Sequence, residues 1–531
     1  MTFPLALLVL AAPLAFVLVA IAAALVPSER PRLVERLGAW VAWFGVVVAV
    51  VASGWTALNG AAQSPTVGWS GLGLSVRLDA LSMTMLTMIS LLAVIIFRFS
   101  CTYLDGDARH GVFLGRLAAT IAAVEVLVVS GNLALLVIAW IATSLALHQL
   151  LVFYRDRPRA VTAARKKYIA ARIGDAFLIV GAVLLYHRFG TGDLEQIFTA
   201  ARAATQTGWA FGAVELAAVC MVVAAMLKSA QFPTHGWLVE VMETPTPVSA
   251  LLHAGILNAG PFLAIRMAYV IEGARPATTL LIIVGGFTAV FASVVLLTQP
   301  SLKVALGYSS AAHMGFMLMV CGMGLYPAAL LHLVAHSFYK AHAFLSSGSV
   351  IDEKRAAKVA LPRRLGSPLR IAGSALIALG LYLPLALLWG IDFGGNPIVI
   401  AIGGILVIGT TQLVAPALDS AGPIIGTLRA SGLALAVTLS FFTLEAGAHH
   451  LLADTLPENV GREAIPLALV VLILMSFAAV VVLQILEPTR PQTARRRAMA
   501  IHLRNGLYAN ALYDRAVGAL RHPTPRPEPA R

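Results

Sequence analysis

The sequence predicts an all-α, polytopic membrane protein, and three observations carry that prediction. Hydrophobic residues make up 59% of the chain and charged residues 12%, about half the charged share of a soluble globular protein. Apolar stretches near twenty residues, the length a helix needs to cross a bilayer core, recur from end to end. The clusters of basic residues fall in phase with these stretches, always on one side if each stretch crosses the membrane.

Taken in order, the candidate spans lie near 4–26, 36–58, 80–98, 111–130, 132–154, 170–187, 210–240, 247–271, 277–298, 302–323, 327–350, 371–391, 397–417, 424–448 and 464–486, about fifteen in all. The first has no positive charge before it and is long for a signal peptide, so it reads as a helix. Arg30, Arg32 and Arg36 follow span one, and Arg155 to Lys167 follow span five. Lys354 to Arg370 follow span eleven, and Arg490 with Arg495 to Arg497 follow span fifteen. Every basic cluster follows an odd-numbered span, which predicts an N-terminus outside and a C-terminus in the cytoplasm.

Other classes fall away. The net charge of +13 sits in short loops between apolar segments, not on a soluble face interleaved with aromatics, so nucleic acid is not the expected partner. Cys101, Cys220 and Cys321 form no CxxC pair and read as packing residues. No phosphate-binding loop or nucleotide fingerprint is present to power a pump. The tail from 487 is basic and ends in a proline-rich run; within it Ala498–Leu520 reads as a short helix on the membrane surface or against a partner.

Ionisable residues inside apolar spans cost roughly 2.5–3.5 kcal/mol each even on lenient scales, and they mark ion paths or internal pairs. Lys228 precedes Pro233, which breaks its helix; a broken helix at membrane depth suits an ion site, though a lysine snorkelling to the interface is the plainer alternative. His253, one span on, is a relay candidate or a satisfied core histidine. His332, His336 and Lys340, four apart, share one helix face. That face suits a proton relay; structural hydrogen bonding and, with no third ligand evident, a metal pair are the alternatives. Lys303 stands near the start of its span, where it could snorkel. Arg172 and Asp175, three apart, suit a helix-face salt bridge. Glu125 has no local partner, so a cross-helix base such as Lys228 is its expected companion.

Several motifs in order resemble one family. These are Leu78–Ser82, Arg172–Asp175, Lys228–Gln231, Pro245–Ala254, Leu302–Ser309, and His332–Lys340 followed by Phe344–Ser349. Over roughly residues 75–365 the chain resembles the antiporter-like subunits shared by respiratory complex I, multisubunit cation/proton antiporters and bacterial inorganic-carbon pumps. The resemblance implies two inverted five-helix repeats with broken helices, moving protons or sodium through Lys228, His253, Lys303, His332, His336, Lys340 and Asp175. It divides the chain into N-terminal helices (1–110), an antiporter-like core (111–417), C-terminal helices (418–486) and a basic cytoplasmic tail (487–531).

Two departures stand out. Relatives carry Trp-Glu in the fifth span where this chain has Trp140-Ile141, and Glu125 is a candidate replacement. Relatives also place a lysine in a second broken helix, where Leu383–Asp392 offers none. The pattern is most similar to the carbon-pump branch (DabB), at Leu147–Tyr154, His235–Leu238, Val241–Pro245 and Tyr339–Gly348. That branch implies a cation-translocating, non-enzymatic subunit of the bacterial inner membrane, in which ion flow drives vectorial CO2 hydration in a DabA-like partner. Zinc is then expected in that partner and no cofactor in this chain. The alternative is a subunit of a sodium/proton antiporter or a respiratory NADH–quinone oxidoreductase.

Overall fold

The computed structural model describes residues 3–26, 31–207, 212–348, 367–391, 397–420, 422–457, 467–486 and 493–518. Within them the chain is helical almost throughout, because a backbone in hydrocarbon must satisfy its own hydrogen bonds. Twelve helices are long and apolar enough to cross a membrane. Among the described residues strands occur only as two short antiparallel pairs, Ala62–Gln63 with Arg77–Leu78 and Val67–Trp69 with Leu72–Leu74. Leu18, Trp40, Val51 and Leu376 are exposed on the outer helices, where lipid would cover them. Thr246–Arg266 is instead wholly buried.

Two helices are interrupted at depth. Ala213–Lys228 ends at Ser229, and a short helix, Gly236–Glu240, resumes after Pro233. The break expected from Pro233 is therefore present, but the helix closes earlier, around Ala230, whose φ is +52°. The amide of Gln231 reaches back to the Met226 carbonyl at 3.2 Å, closing the end much as a left-handed cap does. The second interruption was not expected; Pro261, just inside the resumed helix, cannot donate to the Leu257 carbonyl, which accepts from Ser229 instead. Thr246–Ala254 passes through a 3-10 turn, Ile256–Asn258, into Ala259–Arg266. Gly260 lets the two interruptions touch, since a Cβ there would overlap Ser229 Oγ and the Ala225 carbonyl.

Loops sort to the two ends of the bundle. At one end Arg109 Nη1 donates to the Phe153 carbonyl at 2.9 Å, and Tyr154 Oη donates to Asp107 at 3.0 Å. At the other, Asp79 caps the Ala80–Tyr103 helix by accepting from the Ser82 amide at 2.8 Å. Asp79 also accepts from Arg77 Nε at 2.6 Å and Arg266 Nη1 at 2.5 Å, and Arg77 pairs with Glu195. Burial favours the neutral acid, but Arg266 and Arg77 outweigh it and hold the Asp79 carboxyl well below the usual carboxylate range.

Two expectations change. The basic run up to Lys167 is not a loop, because the helix there is Pro158–Phe189, with proline in its first turn. The tail segment around 498–520 lies against the chain itself as far as 518. Helices Ala494–Arg504 and Ala509–Val517 dock there, with Arg504 Nε donating to the Thr298 carbonyl at 3.3 Å and Tyr513 Oη to the Lys166 carbonyl at 3.1 Å. Asp392, by contrast, lies outside the described residues, and Pro368–Leu388 runs unbroken through Pro384.

Candidate functional site

The buried polar residues form two groups linked by a polar bridge. In the first, Lys228 ends its helix fully inside the protein. Its Nζ donates to the Trp140 carbonyl at 3.1 Å and sits 4.4 Å from the centre of the Trp140 ring. The acid whose charge acts on it is Asp175, which also pairs with Arg172 at 2.6 Å. The helix-face salt bridge expected from spacing is thus present, and the field of its carboxylate reaches Lys228 without a direct ion pair. Two turns before Asp175, Lys167 is buried and donates to the Ser144 carbonyl at 2.8 Å and to its hydroxyl at 2.9 Å. Its place in a run of basic residues disguised it as a loop charge.

Glu125 stands apart. It is fully buried beside Gly45, and Oε1 accepts from Ser90 Oγ at 3.2 Å. Its Oε2 has no hydrogen-bond partner among the described residues. The expected pairing with Lys228 gives way to this one, and Lys228 Nζ donates to the Trp140 carbonyl instead.

The second group surrounds the Tyr326–Leu345 helix. His336 and Lys340 are buried and His332 is half-buried. Lys340 Nζ donates to the Leu306 carbonyl at 3.3 Å, one turn beyond Lys303. Lys303 itself is half-buried and donates to Thr246 Oγ1 at 3.1 Å, tying together the starts of two helices. His253 stacks on Phe344 with ring centres 4.3 Å apart, and neither of its nitrogens has a partner among the described residues. Lys340 acts electrostatically on His253 and His336. Sequence reasoning missed His313, whose Nδ1 lies 2.9 Å from His332 Nε2. It sits on a different helix, so no spacing pattern could join it to the others.

Between the groups, Ser229 Oγ donates to the Leu257 carbonyl at 2.8 Å, and the next residue, Asn258, donates to Ser337 Oγ at 2.7 Å. Lys228 and His336 are the chain neighbours of Ser229 and Ser337. The freed backbone of the second interruption therefore joins the lysine group to the histidine group, which is how irregular backbone is tolerated at membrane depth. Among the described residues no cluster of three or more His, Cys, Asp or Glu is arranged to hold a metal ion.

Comparison with known proteins agrees with this geometry. Residues 130–383 match the family described as NADH:quinone oxidoreductase/Mrp antiporter, TM, and residues 66–114 match the complex I chain 5 N-terminus. "Probable inorganic carbon transporter subunit DabB2" of Halothiobacillus neapolitanus is 39% identical over 458 residues, covering 86% of this chain and 82% of that protein. The chain belongs to the DabB branch of the antiporter-like membrane subunits. A second DabB relative, from Hydrogenovibrio crunogenus, is 42% identical over 288 residues, covering 54% of this chain and 55% of its own length. The fold is also that of the Mrp complex from Dietzia sp. DQ12-45-1b, with a TM-score of 0.64 at 22% identity, over 97% of this chain and 60% of that one. The two groups above fall largely within the matched core.

Proposed function

We propose that this DabB-family chain is the proton-translocating subunit of an energy-coupled inorganic-carbon uptake complex. Cation flow along Asp175, Lys228, His253, His336, Lys340 and His332 would drive vectorial CO2 hydration in a DabA-like partner that holds zinc. The observation that carries the reading is the polar bridge from Lys228 to His336 through Ser229, Asn258 and Ser337. Isolated buried charges would be costly, and a set of them joined by polar groups is what translocation requires. Asp175, already beside Lys228, takes the role of the acid that relatives carry at position 141. Lys303, at the helix start, serves entry from the cytoplasm, and Glu125 supports the first helices.

The same reading has fifteen crossings in the bacterial inner membrane, in two inverted repeats, with the C-terminus inside. Its support is that the Phe153 and Thr298 loops, the start of the Pro158–Phe189 helix and the C-terminal helices gather at one end. The zinc chemistry belongs to the partner, so this chain acts as a transporter subunit and not as an enzyme. Co-expression with the candidate zinc partner in a host lacking carbonic anhydrase tests it. Growth in air is expected, and failure to grow with both subunits assembled would overturn the carbon-pump assignment.

A further inference from the structure

We propose that His313 is a working member of the ion path, joining His332 and His336 into a chain of three imidazoles that passes protons and not sodium ions. The inference rests on the proton-path reading above and deepens it by adding a residue that carries the proton and by excluding sodium on this stretch.

The geometry is specific. His313 Nδ1 and His332 Nε2 are 2.9 Å apart, a hydrogen bond in which one ring donates N–H and the other accepts. The ring centre of His313 lies 5.0 Å from that of His332 and 5.1 Å from that of His336, whereas His332 and His336 are 6.3 Å apart. His313 therefore lies nearer to each of the two rings than they lie to each other, hydrogen-bonded to His332 and in ring contact with His336. Neither nitrogen of His336 has a hydrogen-bond partner among the described residues, so a ring rotation can turn one toward His313.

Imidazole suits this work because it accepts a proton at one nitrogen and releases one from the other. Each transfer breaks one N–H bond and forms another, the charge moves with the proton, and ring rotation restores the starting tautomer. Sodium is a hard cation that takes oxygen ligands. This stretch presents ring nitrogens beside the Phe316 ring, 5.0 Å from His332. His313 and His332 also line a cavity of about 990 Å³, whose polar lining includes Ser309, Thr410, Ser440 and Gln484.

The test uses the full-length chain with the subunit that co-purifies with it, in proteoliposomes with a pH-sensitive dye and a potassium diffusion potential. Wild-type flux is expected to be carried by protons and unchanged when sodium is replaced by choline. His313→Gln keeps a hydrogen-bonding group without a transferable ring proton, and should lose roughly a hundredfold in flux at wild-type assembly. His313→Ala opens a hole onto the cavity, so millimolar imidazole should restore part of its flux and none to Lys228→Ala. Full flux in His313→Gln, or loss in His313→Ala that imidazole does not restore, overturns the imidazole chain while Lys228→Ala remains silent. Wild-type flux that requires sodium overturns the choice of ion. An assembled wild type that carries neither ion overturns the underlying path reading itself.

Discussion

Replacing Asp175 by Asn separates the two acids that could stand in for the one missing at Ile141. Lys228 is fully enclosed, and the carboxylate acting on it is that of Asp175, which also holds Arg172 at 2.6 Å. Asparagine keeps the shape and removes the charge, breaking the ion pair with Arg172 and removing the acid whose field reaches Lys228. Breaking a buried ion pair costs roughly 3–5 kcal/mol. The Arg172 side chain is 30% exposed, so water relieves part of this loss, and the lower end applies. About 3 kcal/mol along the path corresponds to roughly a hundredfold in rate, at 1.4 kcal/mol per tenfold. Glu125→Gln should by contrast stay within about twofold of wild type, since glutamine still accepts from Ser90 and no base faces it. The assay is potential-driven proton flux in proteoliposomes, normalised to assembled complex. Loss of flux in Glu125→Gln with full flux in Asp175→Asn would refute the assignment and restore Glu125 as the missing acid.

Three further outcomes follow from the packing. Asp79→Ala strands the buried Arg266 and should lower stability by roughly 3 kcal/mol, seen as earlier thermal unfolding in detergent. Because the folded Asp79 titrates below its unfolded value, its contribution is complete above about pH 4 and is lost as pH falls below that. The melting gap between wild type and Asp79→Asn should accordingly hold from neutral to mildly acid pH and close below it; a gap that widens in acid would contradict the sign. Asp514→Arg places a like charge on Lys166, which Asp514 now shares with Glu240. It should release the C-terminal helices and increase proteolysis after residue 493 roughly tenfold, and unchanged cleavage would mean that the docking does not depend on this pair. Gly260→Ala forces a Cβ into Ser229 and should cost roughly 1–3 kcal/mol, read as reduced yield of folded protein; full yield and flux would mean that the two interruptions need not touch.

The helical membrane class and most of the site were legible because their causes are local. Hydrophobic length reported twelve of the expected spans, Pro233 the first break, and four-residue spacing the His332–His336–Lys340 face. What escaped depends on contacts between distant segments. The second interruption, after Ala254, is held by Asn258 reaching Ser337, 79 positions away. Lys167 looked like a loop charge because its Ser144 partner lies on another helix. Glu125 is expected from sequence to pair with a base such as Lys228, yet Ser90 bonds Glu125 and the acid acting on Lys228 is Asp175, from helices that no periodicity connects. The tail composition was equally consistent with a lipid or a partner surface. Its docking on Lys166 and Glu240 required knowing that the Pro158–Phe189 and Gly236–Glu240 helices end side by side.

The central claim is that cation flow through this chain drives a partner's carbon chemistry, and inorganic-carbon accumulation tests it most directly. In cells co-expressing the chain with its zinc partner, accumulated carbon should exceed equilibrium and collapse on adding a protonophore. Lys228→Ala, assembled to wild-type levels, should accumulate no more than protonophore-treated wild type. Accumulation by Lys228→Ala at the untreated wild-type level would contradict the account.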